Sequence, residues 1–224
     1  MDKKVNYSDI KKFCLDLGID LFGVADISKV KQDFTLSPNT LKNSEKAVCL
    51  GMRLSSEILD DMIDQPTRLY SYHYKAVNTF LDQVALKLAN YIHDKGFFAL
   101  PIPVTQILDW QKQKAHLSHK QIGTLSGLGW IGRNNLLVNK KLGSQFRLIT
   151  VLTNMPLEVD EPTKDNCGTC RFCVQSCPAG SIKEDPADFD HIKCFEKLKE
   201  FQKKKIVEQY ICGVCVKVCK GKEK

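Results

Sequence analysis

The chemistry-bearing residues of this 224-residue chain are concentrated near its end, where eight of its ten cysteines fall between positions 167 and 219. The run CGTCRFCVQSCP sets Cys167, Cys170, Cys173 and Cys177 in the pattern C-x-x-C-x-x-C-x-x-x-C-P, and Cys194, Cys212, Cys215 and Cys219 follow. Closely spaced thiolates wrap one face of an inorganic cluster while their peptide N–H groups point at its sulfides. In such runs the fourth cysteine ligates a second cluster. That rule assigns Cys167, Cys170, Cys173 and Cys219 to one 4Fe-4S cluster, and Cys177, Cys194, Cys212 and Cys215 to another. Cys219 is followed by Lys220 where proline is usual, so its turn is expected to differ. Two zinc sites would also consume eight cysteines, but zinc has no reason to prefer the Cys-Pro run.

Cys14 lies on the apolar stripe of a helix with Ile10, Phe13 and Leu17, and Cys49 sits in the strand-like KAVCLGM. Both read as small buried hydrophobes. No apolar leader follows the charged amino terminus and no run is long enough to cross a membrane, so a cytoplasmic protein without disulfides is expected. The formal charge of +7 invites a nucleic-acid reading, and Lys203–Lys205 form a basic run. Glu196, Glu200 and Glu208 interleave with those lysines, however, and two ligated clusters would lower the balance to about +3.

Two clusters form a wire, and a wire needs an acceptor. In SGLGWIGRNN, Gly127, Gly129 and Gly132 match G-x-G-x-x-G, a fingerprint with meaning only between a strand and a following helix. Here the order is reversed. HLSHKQIGTLS upstream has helical spacing at Leu117, Ile122 and Leu125, whereas NLLVN and FRLITVLTN downstream read as strands. The dinucleotide reading is weak.

The elements that must position these residues read as an α+β domain over residues 1–158 and a cysteine-rich domain over 159–224. A helix over Ser8–Leu17 ends at Gly18, strands cover DLFGVAD and Ala47–Leu54, and a long helix over Arg68–Lys95 stops at Gly96. ALPIPV is extended because Pro101 and Pro103 exclude helix.

The segment SGLGWIGRNNLLVNKKLGSQFRLITVLTNMPL, followed by CGTCRFCVQSCPAGSI, resembles the epoxyqueuosine reductases and, more distantly, the reductive dehalogenases. The match is strong over residues 118–219 and faint before them. The resemblance implies a nitroreductase-like, cobalamin-binding domain followed by a ferredoxin-like module with two 4Fe-4S clusters, one of which reduces the cobalt. It places Gly127, Gly129, Trp130, Gly132, Arg133 and Asn134 along a corrinoid cavity, with glycines letting backbone approach the ring and Arg133 reaching the cofactor's tail. A tight helix-to-strand turn is the plainer reading of the same glycines.

Departures from the family are specific. The acid expected before a Pro-Val is absent from Ala99-Leu100-Pro101-Ile102-Pro103-Val104, and TQILDWQKQKAHLSHK is inserted before the loop. Candidate proton donors inside the insertion are His119 first, then His116 with neighbouring Ser118, and Asp109. Tyr70, Tyr72, His73 and Tyr74 read as core or pocket wall, and His93 and His191 as surface. The chain ends at Lys224 without a helical-repeat tail, so transfer RNA is not expected as a partner.

The expected function is an iron–sulfur oxidoreductase that delivers low-potential electrons to a bound cobalamin, which reduces a small substrate. The alternative is an electron-transfer protein serving a corrinoid protein or another partner. The expected electron donor is a ferredoxin or flavodoxin, and no membrane partner is expected.

Overall fold

The computed structural model describes residues 2–222 and mixes helices with short sheets. In chain order the elements are α1 (Lys3–Asp16), β1 (Leu21–Asp26), α2 (Pro38–Lys42), β2 (Lys46–Arg53), α3 (Ser56–Asp60) and α4 (Arg68–Asp94). There follow β3 (Ala99–Ile102), β4 (Ile107–Asp109), β5 (Lys114–Ala115), α5 (His119–Leu125), β6 (Trp130–Ile131), β7 (Leu137–Val138) and β8 (Phe146–Thr153). The cysteine segment adds α6 (Phe172–Ser176), α7 (His191–Lys203) and α8 (Val214–Lys217). No described residue from 164 to 222 is in a β-strand. Among the described residues no helix is long and apolar enough to cross a membrane.

The chain forms two compact units, interleaved rather than divided by one cut near residue 158. Unit 1 holds residues 1–52, 78–128 and 147–163, and unit 2 holds 53–77, 129–146 and 164–224. The cysteine segment therefore shares its unit with two stretches that contain no cysteine.

In unit 1 a four-stranded sheet runs in the order β1-β2-β8-β3, with β1/β2 and β3/β8 antiparallel. Val48, Cys49, Leu50, Ile149, Val151 and Leu152 are fully buried on it, which is why β2 and β8 read as continuous apolar runs. The helix α1 starts five residues before the expected Ser8, because the Asp2 carboxylate accepts from the Lys4 N–H at 2.8 Å and caps it. Its end at Gly18 has φ +92°, a conformation that suits glycine. In β1, a side chain at Gly23 would stand 2.3 Å from the Ser126 carbonyl oxygen, so the glycine lets the end of α5 lie against the strand.

The segment EVDEPTK, which spans the expected domain boundary, is pinned to unit 1. Asp160 donates its N–H to Val24 O and accepts from Val24 N, both at 2.8 Å. Its carboxylate also accepts the Tyr7 hydroxyl at 2.9 and 3.0 Å, and burial followed by Asp160 raises the phenol's pKa far above the usual range. Tyr7→Phe is expected to cost about 1.5 kcal/mol, the contribution of a hydrogen bond to a charged group. Urea unfolding at pH 7 measures it, and an unchanged midpoint would show that the clasp contributes nothing.

Candidate functional site

The cysteines of unit 2 sort into two sets by the charges they feel. Burial pushes the Cys173 thiol up to about 11, and Cys219, Cys167 and Cys170 push it further in the same direction. Burial also raises Cys212 to about 11, with Cys194 and Cys177 adding to it. Cys215 is raised well above the ordinary range by burial, then by Cys212, Cys194 and Cys177, and finally by Cys173, so the two sets adjoin. Cys177 is lowered. Burial works against ionisation there, but the Ser181 hydroxyl, 3.2 Å from its sulfur, and the backbone of residues 179, 181 and 182 outweigh it. Among the described residues no three His, Cys, Asp or Glu side chains are grouped to hold one metal ion.

Cys14 and Cys49 stand apart from both sets, buried in unit 1 and pushed up to about 12 by burial.

The glycine-rich loop continues in unit 2 as Gly129–Asn135, and three of its side chains reach the first quartet. The Trp130 indole N–H donates to the Cys167 sulfur at 3.4 Å. Lys222 lies 5.4 Å above the same ring, a cation–π distance. The Arg133 guanidinium donates to the carbonyls of Cys170 and Gly168, at 3.0 and 2.9 Å, and so holds the turn between the first two cysteines. Its buried Nε has no hydrogen-bond partner among the described residues; Glu184 faces it at 3.7 Å as an ion pair. Asn134 is buried and donates to the Ser144 hydroxyl at 3.1 Å. Ser144 in turn lowers the Cys219 thiol against burial, which raises it, and donates its N–H to Cys219 O at 3.1 Å. Gly143, at φ +58°, has the Cys219 carbonyl 1.8 Å from where a Cβ would stand. The turn KKLGS is therefore what fixes Cys219, the cysteine whose usual proline is missing.

The same geometry gives the glycines a structural reason. A Cβ at Gly129 would meet Val138 O at 2.0 Å, because β6 and β7 pair there as a two-stranded ribbon. One at Gly132 would meet Val138 Cγ2 at 2.5 Å. In unit 1, Gly127 has φ +71° and would meet Glu161 O at 2.6 Å. Close approach of the chain to itself accounts for the absence of a side chain at all three.

The candidate proton donors are in unit 1, each tied to backbone. Asp109 closes the β4–β5 turn, accepting from the N–H groups of Gln111 and Lys112 at 2.9 and 3.0 Å. The His116 Nδ1 donates to Thr35 O at 2.9 Å. His119 Nε2 donates to Pro103 O at 3.0 Å, and Nδ1 accepts from the Thr150 hydroxyl at 2.8 Å. Gln106, which sequence reasoning passed over, lies beside them: its oxygen accepts from His116 N at 2.7 Å, and its nitrogen donates to Leu117 O at 2.9 Å. Ser118 caps α5 through the Gln121 N–H. His93 and His191 are exposed, the former against the backbone of Ala99 and the latter 3.2 Å from Asn135. In unit 2, Tyr70 is buried against Gly213, Tyr72 is exposed, and the His73 Nε2 accepts from Ser55 N at 2.9 Å.

No family model matches the chain. Among curated proteins, an epoxyqueuosine reductase from Cyclobacterium marinum is 28% identical over 94% of this chain and 77% of its own length. Another, from Leadbetterella byssophila, is 27% identical over 94% of this chain and 78% of its own. Of solved structures, the epoxyqueuosine reductase from Streptococcus thermophilus superposes with a TM-score of 0.66 at 20% identity, covering 95% of this chain and 65% of that one. A reductive dehalogenase, for which a mechanism of B12-dependent dehalogenation is suggested, superposes with a TM-score of 0.67 at 18% identity over 82% of this chain. This chain spans about a quarter of that dehalogenase, 26% of its length. The chain is thus similar along nearly its whole length to proteins named epoxyqueuosine reductase, and it shares their fold and that of the dehalogenases.

Burial drives the His119 imidazole down to about 4, and Arg147 lowers it further against the Pro103 carbonyl, which raises it. The ring is therefore neutral at pH 7. Between pH 6.5 and 4 the unfolded chain takes up this proton and the folded chain does not. Stability is then full above about pH 6.5 and falls as the pH drops through that window. His119→Gln is expected to remove up to about 3 kcal/mol of this acid dependence. Urea midpoints measured from pH 7 to 4 provide the check, and an unchanged slope would contradict the assignment.

Proposed function

We propose that the protein is an iron–sulfur reductase of the epoxyqueuosine reductase type, with two 4Fe-4S clusters in unit 2. The supporting observation is the sorting of eight thiols into 167/170/173/219 and 177/194/212/215, the same partition that the C-x-x-C-x-x-C-x-x-x-C-P exchange rule assigns. The donor set fits: all eight ligands are cysteines, Trp130 donates to one sulfur, and hydroxyls of Ser181 and Ser144 serve two others. When bound, the clusters supply one-electron, low-potential transfer. The chain's own residues keep the turns rigid through Arg133 and Gly143, and stabilise charge on sulfur through Trp130, Ser144 and Ser181. A ferredoxin or flavodoxin is the proposed electron donor.

Cobalamin enters the proposal through the relatives, among them the dehalogenase with a suggested B12-dependent mechanism. The loop Gly127–Asn134 does not fit as its cradle. The bare faces of its glycines are filled by protein, and the side chains of Trp130, Arg133 and Asn134 are already engaged. No residue of this chain is assigned to a corrin ring, and no step is derived through it. That same observation favours the second reading, an electron carrier that serves a separate partner.

Anaerobically purified protein is expected to hold about eight irons and about eight acid-labile sulfides per chain. Stoichiometric zinc without sulfide would overturn the cluster reading. Titration of the iron-replete protein with cobalamin, followed by absorption, separates the two functions: uptake supports the reductase, and its absence supports the carrier. Cys14→Ala and Cys49→Ala should leave the iron count unchanged while costing roughly 2 kcal/mol in core packing.

A further inference from the structure

A cavity of about 460 Å³ in unit 2 is lined by the start of α4 and the chain just past α7. Arg68, Tyr72, Gln202, Lys205 and Glu208 line it, over a floor that includes Val207. That volume suits a drug-sized ligand. Glu208 is paired with Lys75 at 3.1 Å. The Arg68 guanidinium and the Lys205 ammonium form no ion pair or side-chain hydrogen bond among the described residues. Tyr72 is 62% exposed, a large ring face at the same opening.

Lys205 is also in an unusual place. The helix α7 ends with Ile206 N–H donating to Phe201 O at 3.1 Å and Lys205 N–H donating to Gln202 O at 2.8 Å. This is a Schellman ending, whose left-handed position normally takes glycine. Here it takes lysine, at φ +57°. A glycine would relieve the backbone but remove the one cation that this end of α7 contributes to the cavity. Strain retained beside a cavity is a reason to look for a ligand.

We propose that this cavity binds a nucleotide, its phosphate between Arg68 and Lys205 and its base against Tyr72. Two free cations suit a phosphate, an aromatic face suits a base, and a volume of about 460 Å³ suits a small group better than the broad surface of a protein partner. The site is independent of the cysteine quartets, so it stands or falls apart from the cluster reading. A free nucleotide and one unit of a single strand present the same chemistry to the cavity.

The test is calorimetric titration of the iron-replete protein with adenosine monophosphate, adenosine, inorganic phosphate and a short oligoadenylate. Adenosine monophosphate is expected to bind more tightly than adenosine or phosphate. Arg68→Gln and Lys205→Gly should each weaken it about tenfold or more, the loss of one charged hydrogen bond. Lys205→Gly should at the same time raise the urea midpoint, which separates lost binding from lost folding, and Lys205→Arg should retain binding. Oligoadenylate binding tenfold tighter than the mononucleotide identifies the strand as the source; equal affinity identifies the free nucleotide. No binding of the mononucleotide to the wild-type protein, or binding unchanged in both variants, overturns the proposal. Retention of an acidic ferredoxin that Lys205→Gly abolishes, with no nucleotide bound, overturns it in favour of a protein-docking face.

Discussion

Eight thiols gathered in one small unit are hard to ionise, because burial penalises the thiolate and each new thiolate repels the next. Unit 2 is organised around that constraint. Donors are brought to sulfur where the chain can spare them: the indole of Trp130 at Cys167, Ser181 at Cys177 and Ser144 at Cys219. Where no donor is supplied, as at Cys215, ionisation is opposed by burial and by three or more neighbouring thiols. A positively charged inorganic core would reverse the balance at every one of these sulfurs, which ties the assembly of this unit to what it binds.

The loop from Gly129 to Asn135 is the device that meets the constraint on one side. Trp130 addresses Cys167, Arg133 addresses the turn from Gly168 to Cys170, and Asn134 reaches Cys219 through Ser144. The β6–β7 ribbon holds these side chains in register, and the ribbon closes only because Gly129 has no Cβ to strike Val138. A stretch that contains no cysteine thereby contacts two members of one quartet and reaches a third through Ser144.

The two cysteine sets can be proposed from the sequence alone, because ligand spacing along the chain follows from cluster size. The long helix was legible too: an apolar stripe bounded by Gly96 puts its limits within a residue of those observed. What the loop's glycines face was not legible, since glycine signals only that something comes close. Here it is a carbonyl nine residues on, in a ribbon of two-residue strands too short to leave an alternation. The surroundings of the candidate acids were hidden for a related reason. Asp109, His116 and His119 are ionisable, but backbone amides and carbonyls take up their polar atoms. Gln106, whose amide oxygen holds the His116 backbone N–H, carries no charge to attract notice. Likewise, residues 53–77 joined the cysteines through Tyr70 packing on Gly213, a contact without a local pattern.

The central claim is that the loop serves one cluster and not the other. Hydrogen bonds to ligand sulfurs help set cluster potentials, and removing a donor disfavours the more negative, reduced state. The direct measurement is a redox titration of the anaerobic protein followed by electron paramagnetic resonance, comparing wild type with Trp130→Phe at equal iron content. The account predicts that one cluster moves to lower potential while the other keeps its value. Two unshifted clusters, or two that shift together, would contradict it.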